Sequence, residues 1–168
     1  MDYKYTLKIM FFGDPSAGKR DFTEYCSHFF DEDNFLTIGV DFYSKTTNYK
    51  DKKVQLQIWD VSAEERHRFL AHSYCVGANG ALLIYDIAKS KTLNYVVKYI
   101  PIIRENSGDV PIILIGNQID REAKREISKE YGKAVARKYN LSGFIEITSR
   151  KKEDIKEVFE LISKNLIG

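Results

Sequence analysis

Apolar and polar positions alternate along this chain in a way that predicts strands and helices in turn. Tyr5–Phe12 is predicted to be a strand, followed by a glycine-containing turn and a helix over about Gly18–Phe29. Val40–Tyr49 and Val54–Asp60 alternate residue by residue, with a short turn between them. That pattern predicts an antiparallel pair of strands at one edge of a sheet.

Two continuous apolar runs follow, Ala81–Tyr85 and Pro111–Ile115. Such runs are typical of strands that are buried on both faces of a parallel sheet. Thr92–Asn106, between them, has helical spacing. Pro101 is expected to kink that helix or to begin a new one, because proline removes a backbone donor.

The last part of the chain repeats the same order of elements. Ser128–Tyr139 is predicted to be a helix with Ser128 as its N-cap, Gly143–Ile147 a short strand, and Asp154–Leu166 a final helix. Alternating strands and helices predict an α/β fold, doubly wound, with a mostly parallel six-stranded sheet and helices on both faces. With 168 residues and no linker-like tract, residues 1–168 are expected to form a single domain.

Composition narrows the classes of function. The chain is 43% hydrophobic and 30% charged, with a formal net charge of +2, so no nucleic-acid partner is expected. No run approaches the roughly 20 apolar residues that a transmembrane helix needs. Cys26 and Cys75 are too few for a disulfide framework and are expected to be free thiols in a reducing cytoplasm.

The end of the sequence leaves membrane attachment open. The last residues, Asn165–Gly168, include no cysteine that could be prenylated. Either the protein has no lipid anchor and is cytoplasmic, or a longer natural tail makes it a peripheral membrane protein.

A glycine-rich segment between the first strand and the first helix carries the clearest chemistry. It matches the pattern GxxxxGK of a phosphate-binding loop, or P-loop. Its backbone N–H groups would point at phosphate oxygens from the positive end of a helix, and Lys19 would reach the β- and γ-phosphates. The expected phosphate-binding residues are Gly13, Asp14, Pro15, Ser16, Ala17, Gly18 and Lys19, followed by Arg20 and Asp21.

Arg20 departs from the usual pattern, which has Ser or Thr at that position as a ligand for Mg²⁺. An arginine has no lone pair to give a metal ion, so direct ligation of Mg²⁺ is expected to be lost here. The guanidinium could lie near the β-phosphate and partly replace the cation, or it could turn to solvent. Both orientations remain open.

Four further motifs occur in a fixed order, each near the carboxyl end of a predicted strand. They are Thr37–Phe42 (TIGVDF), Gln57–Asp60 (QIWD), Asn117–Asp120 (NQID) and Thr148–Arg150 (TSR). Together with the P-loop, they resemble the motifs of Ras-type small GTPases, especially the Rab-like branch. The resemblance covers nearly the whole chain.

That resemblance implies a guanine-nucleotide site that holds GTP or GDP with Mg²⁺. Phe30 would pack on the guanine ring, and Thr37 would bind Mg²⁺ and sense the γ-phosphate. Asp60 would hold Mg²⁺ through water. Asp120 would accept two N–H bonds from guanine, and Asn117 would tie the base site to the P-loop.

Several positions differ from the family pattern. Glu64 replaces the glutamine that orients the attacking water and would face the γ-phosphate with a negative charge, which predicts slow hydrolysis. Ala63 replaces a glycine and has less torsional freedom. Gln118 replaces a lysine that covers the base, which predicts weaker nucleotide binding. Thr148, Ser149 and Arg150 keep a backbone donor for the guanine carbonyl. The resemblance makes Lys19, Thr37, Ala63 and Glu64 the candidate catalytic positions.

Two functions fit these residues. One is a nucleotide-dependent switch with slow intrinsic GTP hydrolysis; the other is a pseudo-GTPase that acts as a protein-interaction module, with or without nucleotide. In either case effectors are expected on Thr37–Tyr43 and Arg66–Tyr74. For the switch, an exchange factor and a GTPase-activating protein are expected partners of a monomeric chain.

Overall fold

The computed structural model describes residues 5–28, 39–120 and 122–168. The side chain of His28 is also outside this description. Phe30 and Thr37, two of the residues that the resemblance singles out, lie outside the described residues.

The described residues form a sheet with helices packed on both faces. The strands are β1 (Tyr5–Gly13), β2 (Ser27–His28), β3 (Val40–Tyr49), β4 (Lys52–Val61), β5 (Gly80–Asp86), β6 (Ile112–Asn117) and β7 (Gly143–Ile147). The helices are α1 (Lys19–Glu24), α2 (Leu70–Cys75), α3 (Ser90–Val97), α4 (Tyr99–Ser107), α5 (Lys129–Lys138) and α6 (Lys152–Ile167). Single 3₁₀ turns lie at Pro15–Ala17 and Glu65–His67.

The strand order across the sheet is β2-β3-β4-β1-β5-β6-β7. β4, β1, β5, β6 and β7 run parallel, with Ile9 of β1 paired with Ile58 of β4 and Gly80 of β5. β3 is antiparallel to both of its neighbours. The predicted doubly wound, mostly parallel α/β fold is therefore confirmed, and β2 adds a two-residue strand at the edge.

The first helix is shorter than the sequence pattern predicts. It was expected to extend to about Phe29, but α1 ends at Glu24. The N–H groups of Tyr25 and Cys26 turn back to the carbonyls of Phe22 and Thr23, and Ser27 then pairs with Ser44 on β3. Pairing with a distant strand thus stops the helix before its local pattern ends.

Two local signals in the sequence are confirmed. The region around Pro101 is divided into α3 and α4 at Lys98, and Pro101 lies in the first turn of α4, where a missing N–H is tolerated. Ser128 caps α5, because its hydroxyl accepts the N–H of Tyr131 at 3.0 Å.

The core consists of two apolar layers, one on each face of the sheet. One layer joins the sheet to α2, α3, α4 and α5, and the other joins it to α1 and α6. Cys75 is buried and Cys26 half-buried, and both thiols are free. Burial raises the pKa of Cys75 to about 11 and that of Cys26 to about 12. None of the described helices is both long and apolar enough to cross a bilayer.

Candidate functional site

The P-loop connects β1 to α1 and is shaped by its glycines and by an aspartate cap. Asp14 accepts hydrogen bonds from the N–H and the hydroxyl of Ser16, at 2.9 and 2.6 Å. Gly18 has a φ of +93°, and a Cβ there would lie 2.3 Å from Nδ2 of Asn117. Only glycine fits this position, because both the backbone conformation and the close approach exclude a side chain.

The carboxyl group of Asp14 is held in its charged form. Partial burial alone would raise its pKa, but the two hydrogen bonds from Ser16 and the charges of Lys91 and Lys89 together lower it below the ordinary value. Asp14 therefore remains an ionised cap of the turn that precedes Gly18 at neutral pH.

Lys19, the first residue of α1, is almost completely buried, with 7% of its surface exposed. Its Nζ donates to the carbonyl of Val61 at 2.8 Å and forms an ion pair with Oδ1 of Asp60 at 2.5 Å. The P-loop lysine is therefore fixed against the carboxyl end of β4. The positive charge of Lys19 is thus neutralised by the carboxylate of Asp60 within the chain.

An open cleft of about 970 Å³ lies beside this ion pair. Lys19 and Arg20 contribute positive charge to its walls. Its lining residues also include Asp14, Asp41, Asp60 and Glu64. Arg20 is exposed, and its guanidinium forms no ion pair with any residue in the described part of the chain. It is thus available to a negatively charged group that enters the cleft.

The position of the usual Ser or Thr ligand, occupied by Arg20, does not fit direct ligation of Mg²⁺. Asp60 is already paired with Lys19, and Arg20 has no lone pair to offer. The described ranges contain no group of three acidic, histidine or cysteine side chains arranged to hold a metal ion. Thr37, the other expected ligand, lies outside the described residues.

Asn117, at the end of β6, connects the P-loop to the loop after β7. Its Nδ2 donates to the carbonyl of Ala17 at 2.9 Å and to the hydroxyl of Ser149 at 2.8 Å, and its Oδ1 accepts the N–H of Ser149 at 3.0 Å. Asn117 is completely buried and Ser149 is 2% exposed. Both N–H donors of this amide and one acceptor position of its oxygen are bonded within the chain.

The residues next to Asn117 and Ser149, in the loops after β6 and β7, form fewer hydrogen bonds than these two residues do. The N–H of Gln118 donates to the carbonyl of Ile147 at 2.9 Å, and the N–H of Thr148 donates to Asp154 at 2.8 Å. Asp120 is exposed and its Oδ1 accepts the N–H of Glu122 at 2.9 Å, while its second carboxylate oxygen has no partner among the described residues. Arg150 is exposed.

The segment after β4 places Ala63 and Glu64 on the wall of the cleft. Glu64 is exposed and accepts from Nε of Arg66 at 2.5 Å. The hydroxyl of Ser62 accepts the N–H of Glu64 at 3.1 Å and lies 3.2 Å from Nδ1 of His67. From the sequence we expected Glu64 to face the γ-phosphate. The ion pair between its carboxylate and Arg66 was not predicted.

Three aromatic rings form a contiguous group on β3, β4 and α2. The ring of Trp59 lies 4.7 Å from that of Phe42 and 6.0 Å from that of Tyr74, measured between centroids. Nζ of Lys8 lies 3.7 Å from the centroid of the Trp59 ring and donates to the carbonyl of Val76 at 2.9 Å. Sequence reasoning missed Lys8, although a lysine within the apolar β1 was a visible signal.

These elements define a P-loop nucleotide-binding fold, with the phosphate loop and the Asn117–Asp120 loop at the same edge of a parallel sheet. The sequence model of the Ras family matches residues 8–167. The chain therefore belongs to the Ras family of small GTPases, whose members are GTP-binding switches.

Proposed function

We propose that this chain is a guanine-nucleotide-binding switch of the Rab-like branch, formed by a single domain over residues 1–168, and that it hydrolyses GTP slowly without help. The observation that carries the proposal is the link between Asn117 and the carbonyl of Ala17. This bond places the P-loop directly beside the loop that would select guanine, so that one nucleotide can contact both.

At the phosphate end, backbone N–H groups of the P-loop and of the start of α1 would bind phosphate oxygens, and Lys19 would exchange Asp60 for phosphate oxygens. Arg20 would supply a second positive charge from the wall of the cleft. Because Arg20 does not fit direct metal ligation, we propose that nucleotide affinity depends less on Mg²⁺ than the family pattern implies.

At the base end, Asp120 would accept the N–H groups of guanine, which adenine lacks, and Phe30 would pack on the ring. The N–H of Ser149 is already bonded to Asn117. We therefore assign the bond to the guanine carbonyl to the N–H of Arg150, which has no partner among the described residues. Gln118 is shorter than lysine and uncharged, so it would cover the base less completely.

Slow hydrolysis follows from Glu64 and Ala63. A carboxylate cannot donate a hydrogen bond, and Glu64 is exposed and paired with Arg66. It would also have to approach the negative γ-phosphate. Effective turnover would then require a GTPase-activating protein that reorganises this segment, and an exchange factor would reload the nucleotide.

Effectors would bind the surface made by Thr37–Tyr43 and Arg66–Tyr74. The rings of Phe42, Trp59 and Tyr74 connect the two segments, and Phe69, in the second segment, is 70% exposed. Large aromatic side chains of this kind contribute most of the binding free energy at many protein interfaces. We propose a monomeric, cytoplasmic protein whose partners recognise this surface.

The buried pairing of Lys19 favours a second candidate, a pseudo-GTPase that serves as an interaction module. Lys19 is already neutralised by Asp60 and bonded to Val61. A chain that satisfies its phosphate-binding lysine internally has less need of a nucleotide for stability.

The affinities of GDP and GTP for nucleotide-stripped protein, measured by calorimetry with Mg²⁺ and with EDTA, test both candidates. Tight binding in both conditions would support a switch with little dependence on metal. Tight binding only with Mg²⁺ would point to an ordinary GTPase cycle, with the ion held by Thr37, Asp60 and water. Absence of binding in both would support the interaction module.

A further inference from the structure

The first turn of α1 is bonded directly to the loop after β7. The hydroxyl of Ser149 donates to Oδ2 of Asp21 at 2.6 Å, although the two residues are 128 positions apart. The same hydroxyl accepts Nδ2 of Asn117 at 2.8 Å. Ser149 thus connects α1, the end of β6 and the loop Thr148–Arg150, which we call the base loop.

Burial makes the contact between Asp21 and Ser149 strong. Ser149 is 2% exposed and Asp21 is half-buried. A hydroxyl that donates to a carboxylate forms a short, charge-assisted hydrogen bond. Loss of Asp21 would leave the buried hydroxyl of Ser149 without an acceptor for its proton, which is costlier than the loss of an exposed bond.

The remaining anchors of the base loop lie elsewhere. Asp154 of α6 accepts the N–H of Thr148 at 2.8 Å, and Asn117 at the end of β6 accepts the N–H of Ser149 at 3.0 Å. These contacts fix the loop to α6 and β6. The side chain of Asp21 instead fixes it to the helix that follows the phosphate loop.

We infer that Asp21 and Ser149 are positioning residues that clamp the base loop to α1 and set how long a guanine nucleotide stays bound. The inference rests on the proposed function. A nucleotide held at both ends is released when the base loop moves away from the ring, and the bond between Asp21 and Ser149 opposes that movement. The pair acts through the loop and does not need to touch the nucleotide.

The test uses S149A, D21A, the double variant and D21N in the full chain. The measured quantities are the rate of radiolabelled GDP release, the affinities for GDP and ADP, and the melting temperature. Loss of the charge-assisted bond predicts release about tenfold faster in D21A, and at least as fast in S149A, which also loses the bond from Asn117. The double variant should release GDP no faster than S149A, because the bond to Asp21 is already lost in S149A.

Two controls separate positioning from general stability. S128A removes the cap of α5, a bond of 3.0 Å away from the site, and should lower the melting temperature without changing GDP release. D21N keeps an oxygen that accepts from Ser149 and should release GDP within about threefold of the wild type. The preference for GDP over ADP should fall in S149A, because the base loop contacts only the base.

Wild-type release rates in S149A and D21A would overturn the inference, and so would multiplicative effects in the double variant. An equal loss of GDP and ADP affinity would reduce the pair to a structural role. Failure of the wild type to bind GDP would instead overturn the proposed function, and the inference with it. A wild type that binds GDP, with variants that release it at the wild-type rate, would overturn the inference alone.

Discussion

The base end and the phosphate end of the site are built in different ways. At the base end, Asn117 and Ser149 are buried, and their side-chain polar groups are bonded within the chain. At the phosphate end, Lys19 is held by an ion pair with Asp60 and a hydrogen bond to Val61, while Arg20 and Glu64 are exposed on the walls of an open cleft.

The difference indicates where the chain can change without losing its fold. Buried amides and hydroxyls must be satisfied, so a substitution at Asn117 or Ser149 affects the loops around it. Exposed side chains such as Arg20 and Glu64 can be replaced with little effect on stability, and their replacement changes chemistry instead. Arg20 and Glu64, which depart from the family pattern, both lie at the phosphate end, where a substitution has little effect on stability.

The largest effect is expected from K19A, which removes the charge at the centre of the phosphate end. Loss of the charge-assisted contact with the β-phosphate predicts a GDP affinity lower by about tenfold to 100-fold, measured by calorimetry. K129A, which removes an exposed lysine from the start of α5, is the control and should bind GDP normally. An unchanged affinity in K19A would show that the phosphate end contributes little to the binding free energy of GDP.

N117A tests whether the base end is as rigid as its bonds suggest. The variant leaves the carbonyl of Ala17 and both polar groups of Ser149 without this partner. We expect the free energy of unfolding to fall by about 2–3 kcal/mol in urea titrations. A loss below about 1 kcal/mol would mean that the two ends do not differ in rigidity.

R20S sharpens the comparison at the metal position, since serine restores a hydroxyl that can ligate Mg²⁺. The wild type is expected to bind GDP almost equally with Mg²⁺ and with EDTA. R20S should bind about tenfold more weakly in EDTA, because a neutral hydroxyl replaces the guanidinium. Calorimetry in the two buffers measures the ratio. Nucleotide release from the wild type on chelation would contradict the assignment.

E64Q is expected to have the smallest effect, about a threefold to tenfold rise in the single-turnover rate of GTP hydrolysis. Glutamine removes the negative charge near the γ-phosphate and adds a donor that can orient water. E65Q, beside it on the exposed surface, is the control. No rise in E64Q would assign slow turnover to Arg20 or Ala63.

The order of elements and the fold class could be predicted from the sequence because each depends on local patterns. The apolar runs at Ala81–Tyr85 and Pro111–Ile115 become β5 and β6, whose residues are buried throughout. The end of α1 could not be predicted, since it is set by pairing between Ser27 and Ser44.

The candidate site was predicted as a set of positions but not as a set of contacts. Its motifs are short and lie next to strands, so their places in the fold follow from the strand order. The bond between Asp21 and Ser149, and the pairing of Glu64 with Arg66, depend on side-chain directions that leave no periodic pattern. Phe30 and Thr37 remain predictions from the resemblance.

The aromatic group on β3, β4 and α2 gives the protein an optical probe of its own. Trp59 is the single tryptophan of the chain, and its ring touches Phe42 on β3, Tyr74 on α2 and the ammonium group of Lys8. Its emission should shift whenever either neighbouring segment moves or the ammonium leaves the ring. Intrinsic fluorescence can therefore follow rearrangement of both segments in the unlabelled protein.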